Sequence, residues 1–188
     1  MVEGFTGLPG SGKTYYLAKL GIEALKEGRQ VYANFKLEGA QYFQDLSEVF
    51  SVRKGVILVD EINLVCASRF WNKFPPELAY FWSQTRKMEL DIYWTAQHID
   101  RVDKIVREIS NWVWYLRWFG LRNKKNSDHK TTFFYRARCY LPEQINKEKK
   151  QVFDSRYFRT KKEIYSKYNT YEMITLPDYL TKENKKLR

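Results

Sequence analysis

Apolar positions over the first 120 residues fall into short solid runs separated by stretches of helical spacing, an alternation that predicts a β-α fold with a parallel core. "MVEGFT" reads as a short strand. After a glycine-rich turn, "TYYLAKLGIEALKEG" repeats Leu17, Leu20, Ala24 and Leu25 on one face and stops at Gly28, as an amphipathic helix does. "QVYANF" (Gln30 to Phe35) predicts the next strand and "AQYFQDLSEVF" a helical connection. "GVILVDE" (Gly55 to Glu61) is almost continuously apolar, which belongs to a strand buried on both faces. "FPPELAYFWSQTRKM" opens with prolines that only a first helical turn tolerates, then continues as a helix. "LDIYWTAQ" (Leu90 to Gln97) predicts a strand, "DRVDKIVREIS" a helix through Val102, Ile105, Val106 and Ile109, and "NWVWYLRWFG" (Asn111 to Gly120) an aromatic strand.

Beyond Gly120 the pattern changes. "LRNKKNSDHK" is a polar, basic turn and "TTFFYRARCYL" alternates as a second strand, so a long hairpin with a basic tip is expected. From Pro142 onward Lys, Glu, Tyr and Asn dominate, and an extended, partly mobile tail is expected. The chain thus divides into an α/β core over 1–120, a basic β-hairpin extension over 121–141 and a basic tail over 142–188.

Charge sharpens this division. Of the net +11, residues 117–167 hold 15 Lys or Arg against 5 Asp or Glu, residues 168–188 hold 4 against 3, and the first 116 residues are neutral. A neutral core followed by a basic part points to a polyanionic partner for the second part. The two cysteines, Cys66 and Cys139, form no C-x-x-C, which excludes a disulfide framework or zinc module and fits a reducing, intracellular setting. No apolar stretch of about 18 residues exists, and the N-terminus has no basic region followed by an apolar run, so neither a membrane span nor secretion is expected.

The chemistry begins with "GLPGSGKT", which fits G-x-x-x-x-G-K-[ST] at every fixed position. Gly7, Gly10 and Gly12, with Ser11 in the same loop, turn backbone N–H groups onto phosphates, Lys13 reaches the β- and γ-phosphoryl oxygens, and Thr14 offers its hydroxyl to Mg²⁺. Asp60, at the end of the buried strand, is placed to orient the Mg²⁺ water shell. Glu61 follows it, where a carboxylate polarises an attacking water. Gln97 ends the next strand and is a candidate to sense the γ-phosphate or hold that water. Arg86 is a candidate finger acting across a subunit boundary, with Arg69, Arg101 and Arg107 as rivals. His98 is read as a loop residue, and Trp112, Trp114 and Trp118 as core or subunit interface. Arg122, Lys124, Lys125 and Lys130, clustered on the hairpin tip, suit contacts to a DNA backbone without sequence readout. A guanine-reading N-K-x-D is absent, and no arginine-bearing lid of a nucleotide kinase is identified.

"GLPGSGKTYYLAKL", "QVYANF", "VILVDE" and "PPELAYFWSQTRKMELDIYWTAQHIDRVDKIVREI", over roughly residues 1–120, resemble the zonula occludens toxin-like (Zot) ATPases of filamentous phage assembly. More broadly they are similar to the FtsK–HerA group of DNA-pumping ATPases. The resemblance implies a P-loop NTPase with a mainly parallel, additional-strand (RecA/FtsK-like) sheet flanked by helices. It also implies a homo-oligomeric ring, a hexamer, with ATP and Mg²⁺ between subunits, and movement of DNA through or past it. Lys13, Thr14, Asp60, Glu61, Gln97 and Arg86 are the residues it carries over to ATP chemistry. Filamentous-phage assembly proteins continue into a membrane-spanning helix and an outer domain, which this chain is expected to lack. The expectation is therefore a viral ATPase that packages DNA into a preformed capsid, in the host cytoplasm, at the packaging vertex of the virion or peripheral to a membrane, its tail docking on a capsid or membrane protein. Phage extrusion or plasmid transfer by the same motor is the second reading, and a nucleotide kinase a remote third.

Overall fold

A computed structural model of the chain describes residues 1–64, 66, 76–119, 134–144, 147–148 and 150–169. Eight strands, β1 (Val2–Thr6), β2 (Val31–Ala33), β3 (Gln41–Tyr42), β4 (Gly55–Val59), β5 (Leu90–Ala96), β6 (Trp112–Phe119), β7 (Phe134–Tyr140) and β8 (Asp154–Arg159), form one sheet in the order β3-β2-β4-β5-β1-β6-β7-β8. From β3 to β6 every pairing is parallel, whereas β7 runs antiparallel to β6 and β8 antiparallel to β7. The helices are α1 (Lys13–Lys26), α2 (Pro76–Gln84), α3 (Lys104–Ile109) and α4 (Lys162–Tyr165).

Apolar side chains on both faces explain why β1 and β4 lie inside the sheet: all five residues of each are buried. One core layer joins Leu17 and Ala18 of α1 to Val56, Leu58 and Leu116; the other joins Phe81 and Trp82 of α2 to Ile57, Ile92 and Trp94. Gly4 in β1 is required by that packing, because a Cβ there would sit inside the Trp94 indole. Strand β5 lies between β1 and β4, the additional-strand arrangement. The carboxyl ends of β1, β4 and β5 therefore share one edge, where ligands bind in open α/β sheets.

Three segments differ from the sequence expectation. "AQYFQDLSEVF" does not form an α-helix. It opens with β3 and closes in a 3₁₀ turn over Leu46–Val49 started by an Asp45–Glu48 capping box. Its buried residues Phe43, Leu46 and Val49 recur every third position, which fits three residues per turn rather than 3.6. The "DRVDKIVREIS" helix starts late, at Lys104, because the Asp103 carboxylate caps the Ile105 N–H (2.8 Å) after a separate 3₁₀ turn over Ile99–Arg101. Part of the stretch expected as an extended tail is ordered against the core: β8 joins the sheet, Ile164 of α4 is buried, and Tyr168 bridges to Leu37. Aromatic side chains make that possible, since Phe158 stacks on Tyr135 and packs on Tyr16, and Tyr165 on Tyr15.

Candidate functional site

The loop from Gly7 to Gly12 joins β1 to α1, and its glycines are needed by the backbone. Gly10 and Gly12 have φ of +76° and +85°, the left-handed region that side chains disfavour. Gly12 also lies against the Tyr135 ring of β7, where a Cβ would approach Cε1 to 2.6 Å. Lys13 opens α1 and is buried. Its ammonium donates to the carbonyls of Gly7 (3.0 Å) and Leu8 (3.3 Å), so the lysine folds back over its own loop. Burial lowers the Lys13 pKa, while the carboxylates of Glu61 and Asp60 oppose that shift.

Asp60 follows β4 and is buried and fully engaged. The Thr14 hydroxyl donates to Oδ2 (2.9 Å) and the Thr95 hydroxyl to Oδ1. Its backbone is held by Asn34 of the β2 end, which donates from Nδ2 to the Asp60 carbonyl (2.9 Å) and accepts the Asp60 N–H at Oδ1 (2.7 Å). Burial pushes the Asp60 carboxyl up, against the pull of Thr95, Thr14 and Lys13.

Glu61, half-buried, has φ of +49°, a costly conformation for a residue with a side chain. Its N–H donates to the Thr95 hydroxyl (2.9 Å), so Thr95 holds both carboxylate residues in place. Burial raises the Glu61 pKa and the neighbouring Asp60 charge adds to it. Lys13 and hydrogen bonds from Gln97 and Asn63 oppose. The hydrogen bond to Glu61 brings Gln97, at the end of β5, to the same crevice.

The remaining candidates fall elsewhere. Arg86 is exposed in the turn before β5, at the edge opposite the loop. Seven residues of strand at about 3.3 Å each put roughly 20 Å between it and this chain's own site. It does not reach this chain's own site. Of its rivals, Arg101 is exposed just after Gln97, Arg107 lies in α3, and Arg69 is outside the described residues. His98 is exposed; Trp114 is core, Trp112 half-buried and Trp118 43% exposed. The tip residues Arg122, Lys124, Lys125 and Lys130 lie outside the described residues. Sequence reasoning missed Asn34, Thr95 and Tyr135. The first two carried a signal, as polar residues ending otherwise apolar strands, whereas nothing in sequence ties Tyr135 to Gly12.

A nucleoside triphosphate with Mg²⁺ fits these residues. The Ser11 hydroxyl is buried without a partner, Gly10 faces open space, and the Lys13 ammonium rests on loop carbonyls, as it would while free to turn to phosphate. Thr14 and Asp60, already in contact, supply the hard oxygen donors that Mg²⁺ prefers.

A parallel sheet with a glycine loop feeding a helix from β1, and paired carboxylates ending β4, defines a P-loop NTPase fold. Residues 40–170 match the family model of zonular occludens toxin (Zot), and the chain belongs to that family. The matched residues begin after the glycine loop and β2 and reach past β8, whereas the resemblance was expected over roughly residues 1–120. Among solved structures, the N-terminal domain of zonular occludens toxin from Neisseria meningitidis is similar, with 18% identity and a TM-score of 0.60 over 89% of this chain and 98% of that one. The genome packaging NTPase B204 from Sulfolobus turreted icosahedral virus 2, in complex with ATP-gammaS, has 12% identity and a TM-score of 0.52 over 81% and 96%. The flagellar accessory protein FlaH from Methanocaldococcus jannaschii has 14% identity and a TM-score of 0.50 over 73% and 76%. At these identities the likeness is one of fold. No curated protein sequence matches the chain significantly. Among the described residues no helix is long and apolar enough to cross a membrane.

Proposed function

We propose that this chain is a virus-encoded ATPase that uses ATP hydrolysis to move a DNA genome during assembly, filling a preformed capsid. The observation that carries the reading is the Thr95-centred cluster, in which one hydroxyl fixes Asp60 against Thr14 and sets Glu61 beside Gln97. In this reading the loop amides and Lys13 hold the β- and γ-phosphates, and Thr14 and Asp60 hold Mg²⁺, which supplies charge neutralisation on the phosphoryl oxygens. Glu61 accepts the proton of the attacking water, and Gln97 orients Glu61 and that water. A general base is what a hydrolase needs and a phosphate-holding scaffold does not. Arg86, too far from its own site, completes the site of a neighbour in a hexameric ring.

A second reading, extrusion of filamentous phage DNA by the same motor, is favoured by membership of the Zot family. Both place the protein in the host cell, at the packaging vertex or beside a membrane. They also make the basic tip Arg122, Lys124, Lys125 and Lys130 a contact to the DNA backbone and the C-terminal residues a docking segment for a capsid or membrane protein. Steady-state ATP turnover with and without DNA tests the motor. Acceleration by DNA that Glu61→Gln abolishes, and that Lys124→Glu/Lys125→Glu reduces without lowering basal turnover, is the expected result. Turnover indifferent to DNA in every assembled form refutes it, and phosphate transfer to a small acceptor would mark a kinase instead.

A further inference from the structure

Strands β6, β7 and β8 turn one face toward α1 and the glycine loop, through Trp114, Leu116, Ala137, Cys139 and Phe158. Their other face is built differently. Register puts Tyr115 of β6 opposite Arg138 of β7, and Arg117 opposite Arg136. With Tyr140 and Lys150 these residues line an open groove of about 190 Å³. β8 extends the same face with Tyr157, opposite Arg136 and 66% exposed.

This face is electrostatically incomplete. Like charges directly opposite one another across a ladder are destabilising, and Arg117 faces Arg136 in register. Among the described residues no carboxylate forms an ion pair with Arg117, Arg136 or Arg138. Asp154 sits on the opposite face of β8, where it pairs with Arg156 (3.1 Å). A bound polyanion would remove that repulsion. Successive same-face residues such as Arg136 and Arg138 are about 6.8 Å apart along a strand, which is comparable with the spacing of consecutive phosphates in a nucleic-acid chain.

Tyrosines distinguish the kind of nucleic acid. Tyr115, 39% exposed, stands in a row with Arg138, and Tyr157, 66% exposed, in a row with Arg136 and Arg117. Guanidinium groups that track a backbone, interleaved with flat rings, form a stacking platform for unpaired bases. A duplex keeps its base faces inside the stack and offers such rings nothing to stack on.

We propose that this face of β6–β8 binds single-stranded nucleic acid, with Arg117, Arg136, Arg138 and Lys150 on phosphates and Tyr115 on bases. The inference rests on the DNA-motor reading and names its surface and strandedness. The test is fluorescence anisotropy of the full chain with labelled oligo-dT, and with a duplex of the same length, across a salt series. The natural protein is compared with Arg136→Glu/Arg138→Glu, with its milder form Arg136→Gln/Arg138→Gln, and with Tyr115→Ala. Basal ATP turnover is the fold control.

Oligo-dT binds more tightly than duplex, and charge reversal weakens it about tenfold or more. The slope of log affinity against log salt becomes shallower by about 1.4, two single-strand phosphate contacts at about 0.7 each. Tyr115→Ala costs about fivefold or more on oligo-dT and nothing on duplex. If the natural protein binds oligo-dT and all variants bind equally well, this platform is wrong while the motor reading survives. If duplex binds as tightly as oligo-dT and Tyr115→Ala changes neither, the surface reads backbone alone and the single-strand assignment falls. If ATP turns over but neither nucleic acid binds, the motor reading falls as well.

Discussion

Replacing Thr95 by valine removes one oxygen from a fully buried position and keeps the side-chain shape. Two hydrogen bonds go with it. The bond donated to Asp60 Oδ1 ends on a carboxylate and is worth about 1.5–3 kcal/mol, and the bond accepted from the Glu61 N–H about 0.5–1.5 kcal/mol. The sum, about 2–4.5 kcal/mol, is a sizeable share of the roughly 5–15 kcal/mol that stabilises a domain. At this size it lowers Tm by on the order of 4–18 °C and leaves most of the protein folded at room temperature.

The larger effect falls on turnover. The Glu61 N–H bond to Thr95 is one of the contacts that hold φ at +49°, so its loss loosens the residue in the left-handed region and moves its carboxylate. A displacement of about 1 Å at a reacting group costs about 100-fold in rate. Thr95→Val is therefore expected to reduce kcat about 100-fold and to raise KM for ATP far less, since the loop and Lys13 are untouched and Asp60 keeps its bonds to Thr14 and Asn34. Thr95→Ser, which restores the hydroxyl, recovers most of it. Malachite-green phosphate release and a thermal melt on the same preparations give both numbers. Wild-type kcat in a Thr95→Val protein that shows the expected loss of Tm would refute the claim that Thr95 sets the Glu61 geometry.

Glu61→Gln keeps nucleotide binding, measured by a fluorescent ATP analogue, and loses turnover. Burial and the Asp60 charge raise the Glu61 pKa, and the carboxylate is the active form. Activity therefore declines on acidification at a pH above the ordinary carboxylate value of 4.5, and an acid limb at or below that value would contradict the assignment. Gly12→Ala forces a left-handed alanine, about 1–2 kcal/mol, against the Tyr135 ring. It weakens ATP binding, and adding Tyr135→Ala recovers part of the loss; no recovery would mean that strain alone acts. Arg86→Ala and Lys13→Ala proteins, each inactive, regain turnover when mixed if Arg86 serves a neighbouring subunit, and inactive mixtures at all ratios would dismiss it.

Elements whose local pattern and tertiary environment agree were legible in the sequence. β4 has an uninterrupted apolar run because both of its faces are buried, and α1 shows helical spacing because only one of its faces is. The glycine loop was legible because its backbone demands fixed residue types at fixed spacing. "AQYFQDLSEVF" was not, since a spacing of three and one of 3.6 differ little over so short a stretch, and the Asp45–Glu48 capping box suits either start. The C-terminal strands were read only in part because polar residues prevail there. β8 is exposed along most of its length and is held by pairing with β7 and by Phe158, not by an apolar run. Asn34 and Thr95 escaped because their importance lies in meeting Asp60 across strand ends 26 and 35 residues apart in sequence.

The pleat that made β7 legible as an alternating strand gives β7 and β8 two roles in space. Tyr135 and Phe158 point to the α1 side, where Tyr135 covers Gly12 and Phe158 packs on Tyr16. The Tyr15 hydroxyl accepts the Lys161 N–H (2.8 Å), tying the segment after β8 to the first turn of α1. Arg136 and Arg138 point the opposite way, into the basic groove, and Tyr157 lies on the same face. Alternation with a period of two makes any change in the tilt of β7 act on both faces at once. Close-packed contacts such as Tyr135 on Gly12 shift between discrete arrangements instead of deforming smoothly. A polyanion that draws Arg136 and Arg138 together therefore acts on the strand whose next side chain supports the phosphate loop. On that route Tyr135→Ala retains oligo-dT affinity and, relative to its own basal turnover, loses the acceleration by oligo-dT. Undiminished acceleration in this variant would mean that nucleic acid reaches the site by another path.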